Sequence, residues 1–564
     1  MKKPRIFHLL IFVLLLTLTG LNLCQPSLGA AAFLTSNVGS PYVSLTESPP
    51  GQYLVTVNFR PAGYTPYQKA VFYIYFNENP TGWLVNIGDS STNNGWSGDG
   101  ATQSNDSELQ ILNGSMAIYC SDYGSSQLLL TKTGCAPNFT PYYNCIRVEI
   151  SNNKVSYYNY ATGDEFIQTS PFIFALNGQA DNEGPINYTI YAAFNRVVNG
   201  QSDRTGSGVT GVSLFLGPET TPMQVYYGYL HCHTGYSDGR VNPATGAKST
   251  PANAFERASS AGLNFLGVAD HSSYGGDASK GLDAAEWANT LSQARSYTVD
   301  GQFIALRGFE WTGDTYGHVA ITGTADYCQA HGTVNTFDKL LTWLSTQRGI
   351  AVFNHPGRNN STGLEFVHFT GQTKSDKFVG MECWNKNDNY WYSSGTTKNE
   401  GYVTGDGKNY FEEAIANGWY IGTAGAQDNH DWDWGAMNYY RTAVWARNLT
   451  APDILEAFQA RRIYATWDQN LVLSFKINGN EMGSKILAGN NYKVELSATD
   501  GNGEAFTSFE VYNNGQRLYT PISIANPYNL YITFYVNAAK GDRYYAIVTQ
   551  ADGNKAISSP IYVQ

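Results

Sequence analysis

The sequence predicts a multidomain protein in which a central region of alternating strands and helices lies between two all-β sandwiches. Short alternating strands separated by turn residues fill the first third of the chain. From about Val225, apolar runs of strand length alternate with helical segments, and from about Leu471 evenly spaced strands return. We therefore expect a signal peptide at 1–32, a β-sandwich at 33–222, an α/β domain at 223–470 and a small β-sandwich at 471–564.

The N-terminus has the pattern of a secretory signal. Lys2, Lys3 and Arg5 precede the apolar run 6–18, and small residues at 30–32 offer a cleavage site. This pattern predicts release to the periplasm or cell surface. A lipid anchor on Cys24 is the less favoured alternative, because 21–23 lack small residues. The mature chain has no apolar stretch long enough for a transmembrane helix.

Charge and cysteine content narrow the partners and the compartment. Removing the three basic signal residues from a formal net charge of −11 leaves about −14 on the mature chain. Since no Lys/Arg-rich stripe is present, we expect no nucleic-acid-binding patch. In an oxidising compartment, one pair among Cys120, Cys135 and Cys145 is expected to form a disulfide, and the spacing leaves the pair open.

The flanking regions read as β throughout. In the first, runs such as 52–59, 72–76 and 186–191 alternate apolar and polar residues, and turns such as Asn113-Gly114 separate runs of this kind. In the last, the runs 472–477, 492–496, 509–512, 531–535 and 544–548 recur at even spacing, which predicts a small immunoglobulin-like sandwich.

The central region alternates between the two periodicities. A helix is expected from Pro251, capped by Thr250 and ended by Gly262, and further helices at 282–297, 337–347, 410–416 and 452–462. Between them lie the apolar runs 225–230, 266–269, 303–306, 350–353, 378–381 and 420–423. Alternation of this kind predicts parallel strands in a barrel or an open sheet.

Candidate metal ligands recur where these strands end. His231 and His233 stand two residues apart, so a strand would direct both imidazoles to one face and Cys232 to the other, as a buried apolar residue. The later strand ends carry Asp270-His271, Glu310, His318, Asn354-His355-Pro356 and Asp428-Asn429-His430, and Asp238 follows the first pair in a Ser/Gly turn. Apart from His8, every histidine falls between 231 and 430. Imidazole and carboxylate ligands favour Zn, Mn or Fe, and the sequence does not choose among them.

These motifs together resemble the PHP (polymerase and histidinol phosphatase) superfamily, and most closely its exported carbaryl-hydrolase-like branch. The resemblance covers about 225–470 and implies a distorted (β/α)7 PHP barrel that holds two or three divalent ions. The ligand sets it implies are His231, His233, Glu310 and Asp428 for the first metal, a bridging Glu310 with His318 and His355 for the second, and Asp238, His271 and His430 for the third.

The function that follows is an exported metal-dependent phosphoesterase. A metal-bridging hydroxide would attack phosphorus in a small or polymeric phosphomono- or phosphodiester. Besides the ligands Glu310, Asp428 and His430, the expected participants are Arg358, with Arg441 as a second candidate, for phosphate contact, and Asp270 to orient imidazoles.

The sequence leaves open the substrate class, whether the barrel is active, and the role of the nearby tryptophans. The same centre could hydrolyse carboxyl or carbamate esters, because metals activate water in both cases. Alternatively the barrel is inert and the protein binds surface glycans; glycan or cell-wall contact through the β domains fits either case. Trp311, Trp384, Trp432 and Trp434 lie next to ligand-bearing segments, where they wall a pocket or pack in the core.

Overall fold

A computed structural model describes the strands of the N-terminal region and, beyond them, residues 223–242, 244–356, 373–385, 409–519, 524 and 526–564. The first 30 residues, and with them most of the predicted signal peptide, lie outside the described residues. Within the described residues, no helix combines the length and apolar character needed to cross a membrane.

Every described element of the N-terminal region is a strand, and the strands form two sheets. One sheet has the order β1-β14-β4-β9-β10-β11 and the other β2-β3-β12-β5-β6-β7-β8, with β13 paired to β12. All pairs are antiparallel except β1 with β14. The strands are β1 (Ala31–Leu34), β2 (Val43–Glu47), β3 (Gln52–Asn58), β4 (Lys69–Phe76), β5 (Gly82–Ser91), β6 (Asn105–Leu112), β7 (Ser115–Asp122), β8 (Ser125–Thr133), β9 (Cys145–Ser151), β10 (Lys154–Asn159), β11 (Asp164–Thr169), β12 (Asn187–Val198), β13 (Gln201–Asp203) and β14 (Val209–Gly217).

The central region contains nine strands and five helices in its described parts. The strands are β15 (Gln224–Tyr229), β16 (Phe265–Val268), β17 (Ile304–Gly313), β18 (Gly317–Thr322), β19 (Ile350–Phe353), β20 (Phe378–Asn385), β21 (Gly422–Ala426), β22 (Arg441–Ala446) and β23 (Ile463–Thr466). The helices are Pro251–Ser260, Ala284–Tyr297, Phe337–Ser345, Tyr410–Ala416 and Ala451–Gln459. The helices Pro251–Ser260, Phe337–Ser345 and Ala451–Gln459 each bury one apolar face, as their periodicity predicts.

The predicted (β/α)7 PHP barrel is wrong. The sheet is mixed and forms a curled half-barrel in a mostly β chain, because β17 runs on to Gly313 and returns as β18 through a short turn instead of a crossover helix. Gly317, at φ 92°, allows that turn. The hairpin makes β17–β18 and β18–β19 antiparallel, while β15–β16–β17 and β19–β20–β21 are parallel.

The curl brings the two ends of this strand series together. The strands pair in the order β21-β20-β19-β18-β17-β16-β15-β22, so β21 and β22 stand at opposite ends of the series. The Gly425 amide on β21 nevertheless donates a 3.0 Å hydrogen bond to Thr442 Oγ1 on β22. Gly425 has no space for a side chain, since a Cβ there would lie 2.5 Å from the Arg441 carbonyl oxygen. A backbone bridge between Cys232 and Asn429 joins the segments just beyond β15 and β21. The ends of non-neighbouring strands therefore meet around one point.

The predicted separate immunoglobulin-like sandwich is also corrected. Its strands β32, β31, β28 and β29 continue the central sheet through the antiparallel pair β23–β32, which makes one sheet of fifteen strands. Of the described C-terminal strands, β25-β24-β27-β30 form a separate sheet. The strands are β24 (Leu471–Ile477), β25 (Asn480–Glu481), β26 (Lys485–Ile486), β27 (Gly489–Asp500), β28 (Phe506–Asn513), β29 (Gln516–Tyr519), β30 (Asn529–Ala538), β31 (Arg543–Gln550), β32 (Lys555–Ser558) and β33 (Ile561–Val563).

Buried polar groups join the N-terminal sheet to the central region. Tyr75 on β4 donates a 2.6 Å hydrogen bond to Asp300, and Ser213 on β14 donates to the same oxygen. Tyr73, fully buried, donates to Asp453 at the start of the last helix of the central region. A buried carboxylate without such donors would cost several kcal/mol, so these contacts fix how the two regions meet.

Asp300 predicts a pH dependence of stability. Burial, partly offset by the hydrogen bonds from Ser213 and Tyr75, raises the pKa of Asp300 from 3.8 to about 6. A carboxyl with a raised folded-state pKa stabilises most when protonated, so its contribution is complete below about pH 4 and is lost as pH rises to 6. Between pH 4 and 7, we expect Asp300→Asn to gain up to about 3 kcal/mol relative to wild type.

Urea unfolding at the two pH values measures this difference. Asp326→Asn, at an exposed site, is the control and should show no such gain. An equal pH dependence in wild type and Asp300→Asn would contradict the buried, ionisable contact.

Candidate metal centre

Glu310 is the hub of a cluster of histidines. It lies in the middle of β17, and its side chain is fully buried. Five imidazoles surround its carboxylate, with nitrogen–oxygen distances of 2.7 Å for His271, 3.2 Å for His231, 3.3 Å for His318, 3.5 Å for His355 and 3.7 Å for His233. One carboxylate thus faces ligands from four different strand ends.

Strand register explains this convergence. β16 and β17 are parallel, and the pairing continues past the end of β16 as a bridge between His271 and Glu310. The Glu310 amide donates to the Asp270 carbonyl at 3.0 Å. His318, at the start of β18, pairs with Thr312 across the hairpin. The hairpin that removes the expected crossover helix therefore also brings His318 to Glu310.

Asp428 forms a second focus with the first histidine pair. Its Oδ1 lies 3.2 Å from His231 Nε2 and 3.0 Å from His233 Nε2. Both imidazoles point to one side, as the His-x-His spacing predicts. The prediction for Cys232 is confirmed, because its side chain is buried in an apolar cluster on the other side.

Asp238 lies on the more exposed side of the site. Its carboxylate is 3.2 Å from His430 Nε2, 3.5 Å from His271 Nε2 and 3.6 Å from His233 Nδ1. The side chain of Asp238 is 32% exposed, whereas that of Glu310 is 0% exposed. The nine predicted ligands therefore form one continuous site with a buried floor and an open rim.

Two of the ligands have strained backbones. His355 has φ 25° and Asp428 has φ 47°, in the left-handed region that side chains other than glycine rarely adopt. Such conformations cost about 1–3 kcal/mol each and persist where surrounding structure enforces them. At both positions the unusual turn follows directly after a strand and directs the side chain into the cluster.

Glu382 is a residue that the sequence analysis missed. It lies on β20, 1% exposed, with Oε1 2.7 Å from His231 Nδ1. Its Oε2 accepts hydrogen bonds from the His355 amide at 2.7 Å and from Asn385 Nδ2 at 2.6 Å. Since a carboxylate only accepts, Nδ1 of His231 carries the proton and Nε2 is left as a ligand atom. The available signal was a glutamate inside an otherwise apolar strand.

His430 is oriented in the same way by its own backbone. Its Nδ1 lies 2.9 Å from the Asp428 carbonyl oxygen, which can only accept a hydrogen bond. The proton therefore sits on Nδ1, and the unprotonated Nε2, which faces Asp238, can bind a metal ion. Asn354 likewise holds Glu310, donating from Nδ2 to Oε1 at 2.6 Å.

Asp270 has a different role from the one expected. Among the described residues it contacts no imidazole within hydrogen-bonding distance, and it accepts instead from the Thr234 amide at 2.6 Å, from Thr234 Oγ1 and from Ser237 Oγ, both at 2.7 Å. Asp270 thus fixes the turn that carries Asp238 towards the histidines.

The structure gives another role to one of the two arginines predicted to contact phosphate and does not describe the other. Arg441 is 1% exposed and donates to the carbonyl oxygens of Asn438, Tyr440 and Gly435, so its guanidinium is used within the fold. Arg358 lies outside the described residues. The expected disulfide is likewise a prediction only, because Cys135 lies outside them too.

The tryptophans next to the site mostly pack in the core. Trp311 and Trp434 are fully buried, and their indole nitrogens donate to the carbonyls of Val334 and His233. Trp384 packs edge to face on Trp467. Trp432 is half-buried, so of the four it is the most accessible from the rim.

The electrostatics of the cluster follow from burial and close contact. Burial and the neighbouring His430 and His271 lower the pKa of His233 to about 3, so this imidazole is neutral. Burial opposes a charge on His271, but Glu310 and Asp238 raise its pKa to about 10. Burial also opposes ionisation of Glu310, yet His318, His271 and His231 hold its pKa well below the usual range. Glu310 and Asp238 are therefore ionised, and the proton that His271 carries would be released when a cation binds.

The donor set fits divalent cations. Glu310 Oε2 and His318 Nδ1 are buried and have no well-formed hydrogen bond among the described residues. Four overlapping groups each offer three or four ligand atoms within 4.8 Å of one another: His231, His233 and Asp428; His231, Glu310 and His355; His271, Glu310 and His318; His233, Asp238, His271 and His430. Imidazole with carboxylate suits Mn, Fe or Zn.

Comparison with known proteins identifies no family. No family model matches the chain. It is 31% identical over 137 residues to an uncharacterized protein of Chlamydia pneumoniae and 28% identical over 137 residues to one of Chlamydia muridarum. In both cases the match covers 22% of this chain and 22% of the relative, so the chain spans about a fifth of the length of these relatives.

Solved structures are similarly remote. A glycoside hydrolase family 32 protein of Bifidobacterium adolescentis matches with a TM-score of 0.16 at 12% identity, over 31% of this chain and 21% of its own. The CBM2 module of the evolved Dit of Lactobacillus casei BL23 phage J-1 matches with a TM-score of 0.16 at 10% identity, over 33% of this chain and 83% of its own. TM-scores this low establish no common fold.

Substitution of Glu382 is expected to weaken metal binding although all nine predicted ligands remain. In Glu382→Gln, an amide NH2 replaces one oxygen and faces either the His231 N–H or the donors from His355 and Asn385. We expect metal affinity to fall about 10–100-fold while the chain stays folded. Competition with a chromophoric chelator measures the affinity. Glu256→Gln, on the exposed side of a helix, is the matched control, and equal affinities in both variants would contradict the role of Glu382.

Proposed function

We propose that this chain is a metal-dependent hydrolase and that phosphoesters are its substrates. The observation that carries the proposal is Glu310, a fully buried carboxylate surrounded by five imidazoles, with Asp428 forming an adjacent focus. A carboxylate shared between two groups of histidines is suited to hold two cations close together. Divalent ions bound there would activate water and neutralise charge on the substrate.

The exposure of the ligand side chains increases from one side of the site to the other. Glu310, His231, His233, His355 and Asp428 form a floor with side chains no more than 2% exposed, which keeps bulk water out. His318, His430 and Asp238 form the rim, at 23%, 16% and 32% exposure. A substrate group enters from the rim, where His430 Nε2 is positioned to bind it or to exchange a proton.

Phosphoesters are favoured over carboxyl and carbamate esters by the number of cation positions. Four overlapping ligand groups give room for two or three ions. Several cations around one point suit a phosphoryl group, because they can clamp both the attacking and the leaving oxygens of an in-line displacement. The similarity of the motifs to the PHP superfamily supports the same proposal, although the sheet is not the barrel that this similarity implied. Export and glycan contact remain proposals that accompany it.

Glu310→Gln tests the proposal directly. We expect loss of bound metal and at least about a hundredfold loss in kcat/KM, since even residues that only orient ligands are worth roughly 10–100-fold. Elemental analysis gives metal content, and chromogenic phosphomonoester, phosphodiester and carboxyl-ester substrates give activity after loading with Mn, Fe or Zn. Glu481→Gln, at a surface ion pair with Lys476, is the control.

Each outcome discriminates between functions. Metal-dependent phosphoester turnover that Glu310→Gln abolishes supports the proposal. Turnover of carboxyl esters alone would mean that carboxyl esters, and not phosphoesters, are the substrates. Metal content and turnover equal to wild type in Glu310→Gln would overturn the role of Glu310.

A further inference from the structure

Residues 271–282 form a closed loop, the rim loop, that begins at one of the predicted metal ligands. The loop returns to its starting point, because the Leu282 amide donates a 2.9 Å hydrogen bond to the His271 carbonyl oxygen. Gly281 allows this close approach, since it has φ 107° and a Cβ there would lie 2.4 Å from the same oxygen. Both ends of the rim loop are therefore anchored beside the centre.

Hydrogen bonds from two neighbouring segments fix the rim loop in place. Gln329 Nε2 donates to the carbonyl oxygens of Ser272 at 3.1 Å and of Ala278 at 2.9 Å. The Ser272 amide donates to the Glu310 carbonyl oxygen at 2.9 Å. The rim loop thus keeps a fixed position relative to β17, the strand that carries Glu310.

A two-residue turn at the tip of the rim loop holds Tyr274. The glycines at 275 and 276 have φ 61° and 74°, and the Asp277 amide donates to the Tyr274 carbonyl oxygen at 3.3 Å. Positive φ at both central residues is typical of a type I′ turn, which glycine adopts without strain. The backbone of Tyr274 is therefore set by the turn and does not depend on contacts of its side chain.

The ring of Tyr274 lies against the imidazole of His271. The two ring centroids are 5.3 Å apart, and the ring planes are inclined by 39°. His271 Nε2 is in turn 3.5 Å from the carboxylate of Asp238, the most exposed ligand. Since Tyr274 is only half-buried, its side chain forms a wall of the site on the open side.

The hydroxyl of Tyr274 is close to Asp238 and is not used within the fold. Burial and then the charge of Asp238 raise the pKa of Tyr274, so the hydroxyl is near enough to experience that charge. Among the described residues, the hydroxyl forms no hydrogen bond. It is therefore a donor that is free to bind a group entering from the rim.

We propose that Tyr274 binds the substrate, its hydroxyl donating a hydrogen bond to a non-bridging oxygen of the phosphoryl group. This role rests on the proposed phosphoesterase function. A phosphoryl group has more than one non-bridging oxygen, so one can bind a cation while another accepts from Tyr274. A hydrogen bond to an ionised oxygen is shorter and about twice as strong as one between neutral groups. A donor held on a rigid turn forms it without ordering a mobile segment.

Tyr274→Phe tests this role, because it removes the hydroxyl and keeps the ring against His271. In the Mn- or Zn-loaded chain, we expect metal content equal to wild type. The affinity for inorganic phosphate and kcat/KM for a chromogenic phosphomonoester should each fall about ten- to hundredfold, as expected for a lost hydrogen bond to a charged group. Titration calorimetry measures phosphate binding without turnover. The control is Tyr535→Phe on β30, 62% exposed, which should match wild type in every measurement.

Three results would contradict the role of Tyr274, and they can be told apart. Phosphate affinity and kcat/KM equal to wild type in Tyr274→Phe would overturn it and leave the proposed function standing. Loss of metal from Tyr274→Phe would overturn it as well, because the side chain would then support His271 and not the substrate. A metal-loaded wild-type chain that neither binds phosphate nor hydrolyses phosphoesters would overturn the proposed function together with this role.

Discussion

The burial of carboxylates among histidines is the constraint on which the centre depends. Glu310 and Asp428 are no more than 1% exposed, and an isolated charge at that depth costs far more than the fold can supply. Asn354 satisfies one Glu310 oxygen, and the imidazoles surround the rest. Strained backbones at His355 and Asp428, and the curl that joins Cys232 to Asn429, are what bring those imidazoles close enough.

Much of the site could be predicted from sequence because strand ends are local features. His231, His271 and His355 each follow an apolar run, and parallel strands bring such ends together whether the sheet closes or not. All nine ligands assigned by motif lie in one cluster, although the fold assigned with them was wrong. Which residues belong to more than one group of metal ligands depends on three-dimensional geometry. His233 and His271, for example, each belong to two such groups.

The errors arose where long-range pairing decides the structure. A short apolar run at 303–306 predicts a strand, but nothing local shows that the strand continues through Glu310 to Gly313 and turns back. The pairing of β23 with β32 joins residues about ninety apart in the chain, so the sequence could not reveal that the C-terminal strands extend the central sheet. Glu382 was missed and Asp270 was given another role for the same reason, since their partners lie in segments that follow other strands.

Anomalous X-ray diffraction from crystals of the chain loaded with Mn, Fe or Zn tests the central claim most directly. Data collected at the absorption edge of the metal should show at least two peaks, each about 2.0–2.3 Å from ligand atoms, with one Glu310 oxygen at each of the two. Absence of anomalous density around Glu310 in metal-loaded crystals, with the histidines ordered, would contradict the account.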